Sequence, residues 1–172
     1  MFELKYKIFN DLDDDLEGNE FYGENGYFQL LAGHSEYGFY LDKEVDVMSV
    51  SIYWWMRYFV EATLKLENMN VVYISDIETP KIWIELTKVG SEKMTVRKIE
   101  ALKREGSSAV ESDVEIEKID WEEKIDVREY TPAIIKSCSD YLNDLRILNT
   151  KENVYIQELE ELLKQLKKAN EI

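Results

Sequence analysis

The chain reads as an α+β fold: a mainly antiparallel sheet of about six to seven strands, covered by a buried helix and two C-terminal helices. Three observations carry that reading. Short period-2 runs dominate the first two thirds, one long apolar segment at residues 47–66 interrupts them, and two segments of helical period close the chain. At 172 residues the length suits a single domain over residues 1–172, its helical part at about 131–170.

Taken in order, Phe2, Leu4, Tyr6 and Ile8 alternate with Glu3, Lys5 and Lys7, the pattern of a strand with one buried face. Residues 10–25 are acidic, lack sustained periodicity and carry Gly18 and Gly23, which marks a loop. Residues 27–31 and 36–41 read as short strands joined across Ala32-Gly33-His34-Ser35. In the apolar segment Ser49, Tyr53, Arg57, Glu61 and Lys65 recur every four residues, predicting a largely buried helix over 47–66 with one narrow polar stripe. Arg57 and Glu61 stand one turn apart and are placed to pair. Strands are expected at 71–74, 81–89 and 93–102 as an antiparallel meander, with Gly90-Ser91 as a turn. Val114, Ile116 and Ile119 interleave with acids, predicting a strand with a carboxylate outer face. Thr131-Pro132 has the form of a helix start, Thr at N-cap and Pro at the first helical position. The last helix is expected at about 151–169, with early acids and late lysines matching the helix dipole.

Composition narrows the function. With 45% hydrophobic and 33% charged residues, 7 Gly and 2 Pro, disordered, collagen-like and low-complexity classes are excluded. One Cys (Cys138) and one His (His34) leave no disulfide framework, no Cys-based zinc cluster and few nucleophile–base pairs within the chain. The first residues lack the basic stretch and apolar core of a signal peptide, and residues 50–66 are broken by Arg57, Glu61 and Lys65, so a cytoplasmic protein without a membrane segment is expected.

The formal net charge of −15 is segregated. Residues 8–42 hold Asp11, Asp13, Asp14, Asp15, Glu17, Glu20, Glu24, Glu36 and Asp42 and no Lys or Arg. Residues 111–129 hold Glu111, Asp113, Glu115, Glu117, Asp120, Glu122, Glu123, Asp126 and Glu129 against Lys118, Lys124 and Arg128. The remainder is balanced. Such a field repels nucleic acid and anionic membrane and attracts a basic partner at steered rates. Aromatics beside the acids, Tyr22 in the first segment and Trp121 in the second, suit a surface that captures Arg- and Lys-rich partners. The candidate partner-binding residues are therefore Asp11, Asp13, Asp14, Asp15, Glu17, Glu20, Tyr22 and Glu24, with Glu117, Asp120, Trp121, Glu122 and Glu123. Trp54, Trp55 and Trp83 read as core or core-edge packing.

Other motifs give little chemistry. Asp11, Asp13 and Asp15 have the spacing of the first calcium ligands of an EF-hand, but Leu16 replaces the required glycine and Tyr22 the bidentate glutamate. No Gly-rich phosphate loop occurs. Cys138 falls on the apolar face of its helix as a small hydrophobe, and His34 reads as a turn residue. No catalytic residue, metal or cofactor is assigned.

The small size, the acidity, the strand-rich first half with Trp54-Trp55-Met56-Arg57-Tyr58-Phe59 in its helix, and the ending from Tyr130-Thr131-Pro132-Ala133-Ile134-Ile135 through Tyr141-Leu142-Asn143-Asp144-Leu145 are together similar to the immunity proteins of bacterial polymorphic and contact-dependent growth-inhibition toxin systems. The resemblance implies stoichiometric inhibition of a cognate toxin domain, commonly a basic nuclease, and transfers no site residues. The expected function is accordingly that of an inhibitory binding protein. Three alternatives stay open: a DNA-mimic or anti-defence inhibitor, a metal-dependent hydrolase using the Asp11–Asp15 cluster, and an interaction module associating through its final helix.

Overall fold

The computed structural model describes residues 1–10 and 15–171. Its elements run β1 (Phe2–Ile8), β2 (Asn25–Ala32), β3 (Ser35–Gly38), β4 (Val50–Ser51), α1 (Ile52–Lys65), β5 (Val71–Ser75), β6 (Ile82–Val89), β7 (Lys93–Ala101), β8 (Val110–Glu111), β9 (Ile116–Asp126), α2 (Val127–Leu148) and α3 (Val154–Asn170). The α+β class holds, with the strands divided between two antiparallel sheets. One has the order β1-β2-β3 with β4 also on β2; the other has the order β8-β5-β6-β7-β9.

One continuous apolar core joins both sheets to all three helices, with Phe28, Phe59, Leu86, Val96, Tyr141 and Leu163 among its buried residues. The single sheet expected from the sequence is thus two, because hydrophobic periodicity specifies which face of each strand is buried but not which strands become neighbours. The sheets are tied where β3 meets the second sheet. The Tyr37 hydroxyl donates to the Asp76 carboxylate, Lys98 Nζ lies 5.6 Å from the Tyr37 ring centroid, and the Ser35 hydroxyl donates to Glu123 at 2.8 Å.

Several boundaries differ from expectation for identifiable reasons. Only residues 52–65 of the long apolar segment form α1. Ser51 caps it, accepting from the Trp54 amide, and a 3₁₀ turn (Asp46–Met48) and β4 occupy the preceding residues. Tyr53, expected on the polar stripe, is buried, its hydroxyl donating to the Tyr155 carbonyl at 2.7 Å. The Arg57–Glu61 pair forms at 3.0 Å.

β3 ends at Gly38, and Phe39, Tyr40 and Leu41 are exposed beyond it. The β2–β3 loop contains Gly33 at φ +58°, the first central position at which a type II′ hairpin requires glycine. Helix α2 begins at Val127, ahead of Thr131-Pro132. Asp126 is its cap, accepting from the Arg128 amide at 2.8 Å, and burial of Tyr130 draws the first turn into the core, leaving Pro132 inside the helix. Ile116 and Ile119, expected inward, are exposed, because β9 carries register shifts against β7 at Lys98/Ile99 and Glu100/Ala101; Ile125 is its buried residue.

Candidate functional site

The acidic loop of residues 15–24 and the β9 acids lie at opposite ends of β2, while Glu36 of the first segment, on β3 beside Ser35, lies at the β9 end. The loop of residues 15–24 leads into the first residue of β2, Asn25, whereas Glu123 of β9 meets the hairpin at its far end. A strand of eight residues separates them by roughly 25 Å, so they do not merge into one patch.

The first segment is fixed to the helices by its backbone. The Tyr22 amide donates to Asn149 Oδ1 at 2.9 Å and its carbonyl accepts from Asn149 Nδ2 at 2.8 Å. The Asn19 carbonyl accepts from Asn153, the residue that caps α3. The Glu24 carbonyl accepts from the amides of Ile52 and Tyr53 at the start of α1. Phe21 is buried with its ring edge-on to Tyr53. Thus the turn between α2 and α3 and the first turn of α1 hold the loop chiefly by its main-chain groups, with the Glu24 carboxyl accepting from Ser51 and Glu20 accepting from the Glu17 amide. Asp15, Glu17 and Glu20 are exposed and Glu24 is half-buried. Among the described residues no acid of residues 15–42 belongs to an ion pair. Burial and the neighbouring Glu20 charge raise the Glu24 carboxyl above its ordinary range, against an opposing hydrogen bond from Ser51. Asp11, Asp13 and Asp14 lie outside the described residues.

The second segment is largely β9, whose register against β7 places bases beside its acids. Glu122 sits opposite Arg97 and accepts from its Nε at 2.6 Å; Asp120 pairs with Lys98 at 2.9 Å and Lys118 at 2.7 Å. Hydrogen bonds from those two lysines lower the Asp120 carboxyl, and Arg128 brings Asp126 down to about 2. Glu123 is half-buried over Gly33, where a Cβ would sit 2.2 Å from its carboxylate oxygen. Trp121 is half-buried against the main core, and Glu117 is exposed. Asp120, Glu122 and Asp126 are therefore neutralised within the fold, whereas Glu111, Asp113, Glu115, Glu117 and Glu123 belong to no ion pair among the described residues.

Two features escaped the sequence reading. Tyr53, Trp54 and Tyr155 converge with Glu20, Phe21 and Glu24 around an open cleft of about 290 Å³. The residues come from a loop and two helices far apart in sequence, and no local spacing announces them. Phe39, Tyr40, Leu41 and Val47 form an exposed apolar stretch between β3 and α1, for which the run of three consecutive large apolar residues was the available signal. Among the described residues there is no group of three or more His, Cys, Asp or Glu arranged to hold a metal ion, and no helix is long and apolar enough to cross a membrane. Burial pushes the Cys138 thiol up to about 12, so it is held as the unreactive thiol form at neutral pH. Comparison of the chain with protein-family models, curated proteins and solved structures returns no match.

Proposed function

We propose that this chain is an inhibitory binding protein of the immunity type, which neutralises a basic bacterial toxin domain, a nuclease being the best-suited class, by stoichiometric contact in the cytoplasm. The observation that carries the reading is the contrast between the two acidic segments. The carboxylates of residues 15–24 are presented on a loop held mainly by its backbone and belong to no ion pair among the described residues, whereas Asp120 and Glu122 of β9 are engaged by Arg97, Lys98 and Lys118. Uncompensated charge on a positioned loop produces a field that reaches a basic partner; paired charge produces little. The contact surface centres on Asp15, Glu17, Glu20 and Glu24.

Co-expression with the protein encoded immediately upstream tests the reading. Rescue of growth from a toxic upstream product, with a complex that co-purifies at low salt and dissociates as salt is raised, is the expected outcome. A product that is not toxic and forms no complex overturns it. If the captured partner is instead a restriction or defence protein, the DNA-mimic alternative takes its place.

A further inference from the structure

The cleft between the acidic loop and the aromatic ends of α1 and α3 combines two features that recognise one kind of group. Its rim carries Glu20 and Glu24, neither of them in an ion pair among the described residues. Its wall is a contiguous set of rings. Tyr53 stands edge-on to Phe21, Trp54 and Tyr155 with centroids 5.3, 5.1 and 5.8 Å away, and Trp54 is 6.1 Å from Tyr155. The negative faces of such rings attract a cation, and adjoining carboxylates offset the hydration it gives up. The fold already uses this chemistry next door: the Arg57 guanidinium lies 5.4 Å from the Trp54 ring centroid while pairing with Glu61 and Glu158. At about 290 Å³ the cleft falls just below the roughly 300–1,000 Å³ typical of sites for drug-sized ligands. A single long side chain matches it better than a cofactor.

We infer that this cleft is the socket for an arginine side chain projected by the basic partner, its guanidinium bridged by Glu20 and Glu24 and packed on Trp54 and Tyr155. A guanidinium fits better than an ammonium, because its plane can lie against an indole while its forked N–H groups reach two carboxylates. The inference rests on the proposed function for the partner's identity, but the chemistry of the socket does not. Ordered by main-chain bonds to Asn149 and Asn153, the loop offers a preformed site, so little of the binding energy is spent on arranging it.

The probe is N-acetyl-arginine amide, titrated into the intact ¹⁵N-labelled chain while the Trp54 indole N–H is followed, its resonance assigned with Trp54→Phe. A saturable shift at millimolar concentration is expected, at least tenfold weaker with the uncharged isostere N-acetyl-citrulline amide and also weaker with N-acetyl-lysine amide. Glu20→Gln with Glu24→Gln should weaken arginine binding about tenfold. Glu20→Gln alone should weaken it less; this residue is exposed and glutamine keeps the oxygen that accepts from the Glu17 amide, so the fold is preserved. No saturable shift, equal affinity for the citrulline compound, or unchanged affinity in the folded variants overturns the socket. If the arginine probe fails while growth rescue persists, the socket is wrong and the inhibitory role stands. If the probe binds but no toxin is neutralised, the socket stands and the role falls.

Discussion

The loop of residues 15–24 and strand β9 are equally conspicuous as acidic runs, yet the fold treats them in opposite ways. On β9 the pairing register sets Arg97 opposite Glu122 and brings Lys98 to Asp120, so these two acids are answered by bases 25 and 22 residues earlier in the chain. On the loop the nearest partners are aromatic rings and main-chain amides, and although Lys151 lines the pocket beside Glu20, no loop carboxylate forms an ion pair among the described residues. Exposed ion pairs add little to stability, but they cancel the field each partner would otherwise project. Charge segregation in a sequence is therefore only a candidate for function. What decides it is whether strand register or helix packing supplies the counter-charge.

Arg97 is where breaking this contrast should have the largest effect. Its Nε serves Glu122, while Nη1 lies 3.3 Å from Oε1 of Glu85, a carboxylate only 3% exposed. Thr87 also donates to Glu85 Oε1, and Oε2 has no partner among the described residues. Arg97→Ala thus strands a buried charge and should cost about 1–3 kcal/mol by chemical denaturation, less than a wholly buried pair because Arg97 keeps partial solvent access. Adding Glu85→Gln should recover most of that loss, since the amide retains an acceptor for Thr87 without the charge. If the double variant is as unstable as Arg97→Ala alone, the damage comes from lost packing and not from the charge.

A matched pair of triple variants sharpens the comparison at the level of binding. Asp15→Asn, Glu17→Gln and Glu20→Gln together should slow association with the basic partner by about three- to tenfold at low salt and leave the melting temperature nearly unchanged. Glu117→Gln, Asp120→Asn and Glu122→Gln should do the reverse, with association within about twofold of the parent and a lower melting temperature from the lost pairs with Arg97, Lys98 and Lys118. Stopped-flow association and calorimetry read both. Equal slowing by the two sets would mean that net charge alone governs encounter, and would remove the loop's special role.

Sequence reasoning recovered what depends on local period and failed where distant residues decide. Alternation in residues 2–8 and the turn at Gly90-Ser91 identified β1 and the β6–β7 hairpin, because one side of each strand must be buried whatever its neighbour. The Arg57–Glu61 pair was legible because i,i+4 spacing suffices to bring the groups together. Thr131-Pro132 misled. It carries a real start signal, but a cap at Asp126 and a core position for Tyr130 extend the helix ahead of it. Tyr53 misled likewise, since its hydroxyl finds a carbonyl on α3 that no helical wheel of α1 contains. The cleft joins residues 20, 24, 54 and 155, and the neutralisation of β9 depends on a cross-strand register. Both are long-range facts that composition cannot show.

Titration of individual carboxyls provides the finest discriminator, because pairing and burial move them in opposite directions. Asp126, bonded to Arg128, sits at about 2. With its pKa depressed in the folded state, its contribution to stability is fully present above the unfolded value near 3.8 and is lost as pH falls toward 2. Any advantage of the parent over Asp126→Asn should therefore shrink across that window. Glu24 behaves inversely. Its carboxyl is raised by burial and by Glu20, so its contribution is fully present below the ordinary value of 4.5 and is lost as pH rises through the raised one. Glu24→Gln should consequently be slightly more stable than the parent at neutral pH, the difference vanishing as Glu24 takes up its proton. Carboxyl-detected NMR would report both midpoints directly. Glu24 titrating at or below 4.5 would mean that a counter-charge already serves the loop, and the contrast with β9 would lose its basis on that side.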